Sequence, residues 1–242
     1  MEKRISVLGV EFDNLTPDEA VICAERCIKA RSAAYVMTPN PEIVWSCRTN
    51  NELKAAVSGA ELVLADGIGI IYGAKIQKTP LKGRVTGIGF GEALLSKLAE
   101  TGGSVFLLGA KPGVAETAGE KLAERFPGLV IAGTHDGYFD DDAAVVAEIN
   151  AAKPDFLVAG LGPPKDLWIS KNHMRLDIGL AACLGGSLDV WAGAVKRAPV
   201  WMQKCGLEWL YRLIKQPSRI GRMMSLPKFL FAVILSRGKF ES

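Results

Sequence analysis

A chain of 242 residues, 49% hydrophobic and 23% charged, has globular composition and is too apolar for disorder. Its five cysteines (Cys23, Cys27, Cys47, Cys183, Cys205) form no CxxC pair and point to neither a disulfide framework nor a zinc site. The two histidines, His135 and His173, are far apart, which argues against a histidine-based metal site and for structural roles.

The net charge of +3 conceals an asymmetry. Residues 196–242 hold 10 basic and 2 acidic residues, a net of +8, which leaves −5 for residues 1–195. An acidic globule carrying a basic tail suits a polyanionic partner: nucleic acid, anionic lipid or a phosphorylated ligand. The N-terminus lacks the long apolar stretch of a signal peptide. The longest uncharged run, Ile178 to Leu188, has 11 residues, short of the ~18 that suggest a spanning helix. The expectation is a protein of the reducing cytoplasm that is not integral to a membrane.

In chain order, 4–12 reads as one strand. Thr16, Pro17 and Glu19 then suit the N-cap, N1 and N3 positions of a helix. Residues 34–38 form a strand, and a helix follows with Pro41 in its first turn. "ELVLA" (61–65) is a third strand, 67–75 a helix, 78–87 a basic loop and 88–100 a helix. The apolar runs 104–109, 129–134, 155–162 and 178–186 alternate with helical patterns at 112–126, 140–151 and 165–176. Near-continuous apolar strands separated by helices predict an α/β, Rossmann-like, mostly parallel sheet with helices on both faces, over residues 1–195.

From about residue 196 the pattern changes to a basic helical appendage, 196–242, rich in Trp and Met. Leu207, Leu210, Tyr211 and Ile214 share one helix face. Arg212, Lys215, Arg219 and Arg222 would align as a cationic face if the helix continued, with Pro217 a break or new start.

In open α/β sheets ligands bind beyond the carboxyl ends of the strands, which nominates the residue after each apolar run. These include Thr38 and Asn40, Asp66, Gly109, Tyr138, Lys165 and Asp166, and Asp189. Thr38 and Asn40 suit either a sugar contact or a turn capping the next helix. Asp66 suits a helix cap, a cofactor's ribose or a general base. Arg84 is either a phosphate clamp or a solvated loop residue. "LGAKPG" is either a phosphate-binding helix start or an ordinary tight turn. The dinucleotide fingerprint fails, because Tyr72 stands where the third glycine belongs, and no P-loop is present.

Together these motifs resemble the WecG/TagA/CpsF glycosyltransferase family. The resemblance rests on "MTPNPEIV" (37–44), "LADGIGI" (64–70), "GRVTGIGF" (83–90), "FLLGAKPGVAE" (106–116), "HDGYF" (135–139), "GLGPPK" (160–165), "GGSLDVWAG" (185–193) and the 196–219 segment, nearly end to end. It is nearest the TagA-like branch of wall teichoic acid synthesis.

The resemblance implies an inverting, metal-independent transferase with no cofactor. Its donor would be UDP-ManNAc and its acceptor undecaprenyl-diphosphate-GlcNAc, joined by a β-1,4 linkage. Asp66 would be the base, Thr38 and Asn40 would line the sugar site, and Arg84 would lie near the diphosphate. Gly109, Tyr138 and Asp189 would be nucleotide-side contacts. Arg212, Arg219 and Arg222 of the tail would reach the donor or lipid diphosphate. The tail would dock the protein peripherally on the inner face of the plasma membrane. Removing 196–242 is then expected to abolish transfer and membrane association while leaving the α/β core folded. A homo-oligomer is compatible with the tail; a nucleic-acid partner is not expected.

One departure stands out. The family carries Pro-Lys-Gln-Glu before an aromatic residue, whereas this chain has "PPKDLW", with Asp166 at the glutamine position. An acceptor replaces an amide that can also donate. That keeps open a different UDP-sugar, a different lipid-linked glycan, or a nucleotide-sugar-binding membrane adapter that has lost catalysis. A dehydrogenase is a distant alternative.

Overall fold

The computed structural model describes residues 4–162, 167–217 and 220–236. Its centre is a six-stranded, all-parallel sheet with helices on both faces, as the alternating pattern implied. The strands are β3 (Ala34–Met37), β4 (Leu62–Val63), β5 (Ser104–Gly109), β6 (Val130–His135), β7 (Phe156–Gly160) and β8 (Leu180–Cys183). Their order across the sheet is β4-β3-β8-β7-β5-β6. The four central strands are apolar on both faces because both faces are covered.

The segment read as one strand over 4–12 is a hairpin apart from this sheet, β1 (Ile5–Val7) with β2 (Val10–Phe12), paired antiparallel. Leu8 (φ 52°) and Gly9 (φ 81°) both take left-handed backbone, as a tight two-residue hairpin turn requires. Leucine rarely accepts that conformation, so the turn carries no Asn-Gly signal.

One face of the sheet is covered by α2 (Pro41–Ser46), α3 (Asn51–Ser58), α4 (Ile68–Ile76), α7 (Asp142–Ala152) and α8 (Trp168–Asn172). The other is covered by α1 (Pro17–Ala30), α5 (Gly87–Glu100), α6 (Val114–Arg125) and α9 (Ser187–Trp191). The α1 start is a full capping box: Thr16 Oγ1 accepts the Glu19 N–H, and the Glu19 carboxylate accepts the Thr16 N–H.

The connection after β3 crosses the first face, while that after its neighbour β8 crosses the second. Chains leaving adjacent strands in opposite directions open a crevice at their carboxyl ends. The Thr38 hydroxyl spans it, donating to the Cys183 carbonyl at 3.3 Å.

The tail forms α10 (Val200–Lys204), α11 (Glu208–Lys215), α12 (Ile220–Met223) and α13 (Ser225–Ser236). The α11 helix ends at Lys215, ahead of Pro217, so the cationic spacing does not run through one continuous helix. The last helix returns to the globule. On α13, Phe229 and Val233 are fully buried in the core of the first face, with the Phe229 ring against Gly73 of α4. Its opposite side, with Phe231, Ile234 and Leu235, is exposed.

Candidate active site

Asp66 follows β4. Only Leu62–Val63 pair as strand within "ELVLA", but the ladder continues irregularly on both sides. The Leu64 N–H donates to the Met37 carbonyl, and the Val85 N–H donates to the Ala65 carbonyl. This second bond draws the basic loop alongside the strand end and sets Arg84 beside Asp66.

Asp66 does not cap the helix that follows it. The α4 N-cap is Gly67 (φ 91°), with no side-chain cap bond. A side chain on Gly67 or Gly69 would press on the Pro41 ring, so the two glycines let α4 close against the start of α2. Asp66 Oδ2 instead accepts the Gly87 N–H, at 3.4 Å, from the first turn of α5. A carboxylate there also meets the positive end of the α5 dipole.

Of the nominated residues, Arg84 lies beside it, and Thr38 and Asn40 lie against the two glycines that bond to it or follow it. Asp66 Oδ1 lies 3.9 Å from Arg84 Nη2. Thr38 Oγ1 would be 3.0 Å from a Cβ on Gly87, and Asn40 Cβ would be 3.8 Å from one on Gly67. Asn40 is also the α2 N-cap, its Oδ1 accepting the Ile43 N–H. The capping reading of Asn40 therefore holds, and its amide NH2 group is not used by the cap.

The carboxylate is tuned by this setting. Although 31% of its side-chain surface is reachable by solvent, protein surrounds it closely, and desolvation pushes its pKa above the ordinary carboxylate value. Arg84, the Gly87 N–H and Arg212 act in the opposite direction, and Glu208 adds to the rise.

The tail roofs this crevice. Gly206 (φ 72°) packs on Ile68, where a Cβ would come within 2.8 Å of the Ile68 side chain. Arg84 Nη1 donates to the Gln203 carbonyl at 3.5 Å, and Arg84 Nη2 makes a short ion pair with the Glu208 carboxylate. Glu208 also faces Arg197 Nε at 3.5 Å. Arg197, Gln203 and Glu208 were not among the sequence candidates. The available signal was that Glu208 is the lone acid between 196 and 240 in a tail of net +8.

A second group lies along the same sheet edge. Gly109 (φ 128°) ends β5, where a Cβ would meet the Gly160 backbone at 2.6 Å. A Cβ on Gly160 would be 2.9 Å from the Gly185 carbonyl oxygen. The ends of β5, β7 and β8 thus meet backbone to backbone, an approach only glycine permits. The Gly137 N–H donates to the Ala110 carbonyl, joining the loops after β5 and β6. Tyr138 stands 71% exposed on that second loop, its N–H held by Asp136 Oδ1. Asp189 lies in the first turn of α9, beyond β8.

Arg212 is on α11 and exposed, and Arg222 lies on α12. Lys165, Asp166 and Arg219 lie outside the described residues. Both histidines have structural contacts. His135 packs edge-on against Phe139, and His173 Nδ1 donates to the Ala33 carbonyl. No group of three or more His, Cys, Asp or Glu able to hold a metal ion occurs among the described residues.

A parallel Rossmann-like sheet with a desolvated carboxylate and arginines gathered at its carboxyl edge defines an α/β enzyme site suited to an anionic substrate. The chain belongs to the WecG/TagA/CpsF glycosyltransferase family, whose model matches residues 5–242. It is 39% identical, over 83% of this chain and 79% of the relative, to an N-acetylglucosaminyldiphosphoundecaprenol N-acetyl-beta-D-mannosaminyltransferase of Bacillus spizizenii (strain W23). It is 34% identical, over 98% of this chain and 95% of the relative, to the protein of the same name in Staphylococcus aureus (strain MW2).

Proposed function

We propose that this chain transfers N-acetylmannosamine from UDP-ManNAc to the 4-hydroxyl of GlcNAc on undecaprenyl diphosphate, the activity named for the relatives, as a step in wall teichoic acid synthesis. The observation that carries the mechanism is the Asp66 carboxylate, committed to no cap of its own helix and grouped with Thr38, Asn40 and Arg84. As the acceptor hydroxyl attacks the anomeric carbon, its proton passes to Asp66 and the new C–O bond forms. The bond from the anomeric carbon to the phosphate oxygen breaks, and UDP leaves with the electron pair. Attack opposite the leaving group inverts the centre and gives the β linkage.

Arg84 and Arg212 are the cations assigned to the developing charge on UDP, with no metal required. Gly109, Tyr138 and Asp189 are assigned to the nucleotide. The β4 and β5 ends are four strand spacings apart, about 19 Å, room for a sugar at one end and a nucleotide at the other. The protein works peripherally on the inner face of the membrane. Ten of the fifteen exposed large hydrophobics among the described residues fall within 200–235, in a tail of net +8. No helix among the described residues is long and apolar enough to span a bilayer. Self-association through the same apolar face is the competing outcome, read by sedimentation without lipid.

The test is turnover of UDP-ManNAc with a lipid-linked GlcNAc analogue, with EDTA present and absent. A disaccharide product formed equally in both supports the reading. UDP binding without product supports the adapter. A second reading, another UDP-sugar donor, rests on Asp166 replacing the family's glutamine. Faster turnover of a different UDP-hexosamine would favour it.

A further inference from the structure

Arg84, the residue assigned to the diphosphate, is paired with a carboxylate of the chain itself. Glu208 is only 14% exposed and lies between Arg84 and Arg197, in contact with both. It is the sole acid from 196 to 240, so its presence against the crevice cannot be put down to an acidic surface. Arg84 is otherwise incompletely used: Nη1 reaches the Gln203 carbonyl at 3.5 Å, and Nε is buried without a hydrogen-bond partner.

We propose that Glu208 is a displaceable counter-ion. It neutralises Arg84 and Arg197 while the crevice is empty, and the substrate's diphosphate takes its place on Arg84. Two guanidinium groups that converge on the same carboxylate repel one another unless an anion lies between them. A diphosphate that binds Arg84 with Glu208 still in place meets a like charge at contact distance, which is costly. A single exchange resolves both conflicts. The leaving carboxylate has two favourable places to go. Arg197 still faces it, and Glu208 sits in the first turn of α11, whose unsatisfied N–H groups favour a negative charge. The roof itself need not move, since the packing of Gly206 on Ile68 holds it independently of Arg84.

This inference rests on the proposed use of a UDP-sugar, and the experiment separates the two. UDP binding is measured by calorimetry for the full-length wild type and for Glu208→Gln. The amide keeps the shape and removes the charge. Glu208→Gln is expected to bind UDP about tenfold more tightly, because no anion has to be displaced. Affinity equal to or weaker than wild type overturns the exchange and leaves Glu208 a merely structural strut. A wild type that binds no UDP overturns the transferase reading itself.

A readout in the unsubstituted protein guards against a variant that folds poorly. Trp209 adjoins Glu208 and is 39% exposed. UDP should change the tryptophan emission with the calorimetric midpoint, and Trp209→Phe should remove that change. An emission unaffected by saturating UDP overturns the exchange.

Discussion

The Asp66 carboxylate accepts the N–H of Gly87, 21 residues downstream, and so belongs to the start of α5 and not to the helix that begins two residues after it. The bond holds one carboxylate oxygen in place, and the other faces Arg84 at 3.9 Å. Fixing a carboxylate through one oxygen and a backbone donor orients the base without neutralising it.

Asp66→Asn keeps an acceptor for the Gly87 N–H and removes the proton acceptor. The turnover number should fall by about 10²–10⁴-fold. UDP affinity should hold or rise, because no diphosphate contact is assigned to Asp66 and the charge removed lies beside Arg84. Steady-state kinetics beside calorimetry checks both, and a variant with full turnover removes Asp66 from the base role.

The pH dependence has a definite sign. The base works deprotonated, and burial raises its pKa. The acid limb of kcat/KM, which reports the substrate-free enzyme, should therefore lie above the ordinary carboxylate range of about 4. Arg84 and Arg212 favour the charged form, so Arg84→Gln should move that limb to higher pH; Glu208 opposes it, so Glu208→Gln should move it to lower pH. A pH profile unmoved by both substitutions contradicts the coupling.

The same shift bears on stability. When a carboxyl's pKa is higher folded than unfolded, the folded state holds more protons between the two values, so stability falls as pH rises through that window. At neutral pH Asp66 is then a destabilising group kept for chemistry. Asp66→Asn should raise the melting temperature at pH 7–8, and the gain should shrink below pH ~4. Thermal melts across pH measure it, and a variant less stable than wild type at neutral pH overturns the argument.

The sequence and the structure agree where local rules act without tertiary help. In the Thr16 box and the Asn40 cap the partners are three residues apart, and the alternation of apolar strands with helices needs only neighbouring residues to be read. Agreement fails where the cause is long-range. Nothing between Leu8 and Gly9 announces a turn, because the hairpin's packing imposes left-handed backbone on a leucine. A cap of the helix expected over 67–75 is one of three roles the sequence leaves open for Asp66, and only the fold brings Gly87 to it. Glu208 is 124 residues from Arg84, so no spacing within the chain links the two.

Gly109 tests the backbone contact beneath the nucleotide side. Gly109→Ala combines a φ of 128° with a Cβ 2.6 Å from the Gly160 backbone. Backbone cannot move aside as a side-chain tip can, so the cost should reach about 2 kcal/mol or more, and UDP affinity should fall. Gly185→Ala is the control. Its φ of 45° is strained too, but no atom lies within 4 Å of the added Cβ, so its cost should be near 1 kcal/mol. Denaturant titrations of both variants check the order, and equal costs would show that the Gly160 contact yields.

The two sides of α13 separate folding from membrane docking. Phe229 lies against Gly73 and Val7 in the core, so Phe229→Ala should cost about 3–5 kcal/mol, and a chain cut before α13 should lose comparable stability. The expectation that the α/β core folds without 196–242 must therefore reckon with α13, which contributes side chains to that core. Phe231 and Ile234 face outward, 64% and 52% exposed. Replacing both with Glu should leave the melting midpoint nearly unchanged. Each apolar side chain entering a lipid interface contributes about 1.5–3 kcal/mol, so loss of the pair should weaken binding to anionic vesicles by well over tenfold. Co-sedimentation with phosphatidylglycerol vesicles reads that loss. A double variant that binds vesicles as wild type would remove this face of α13 from the membrane contact, and one that unfolds would show the outward side to be packed.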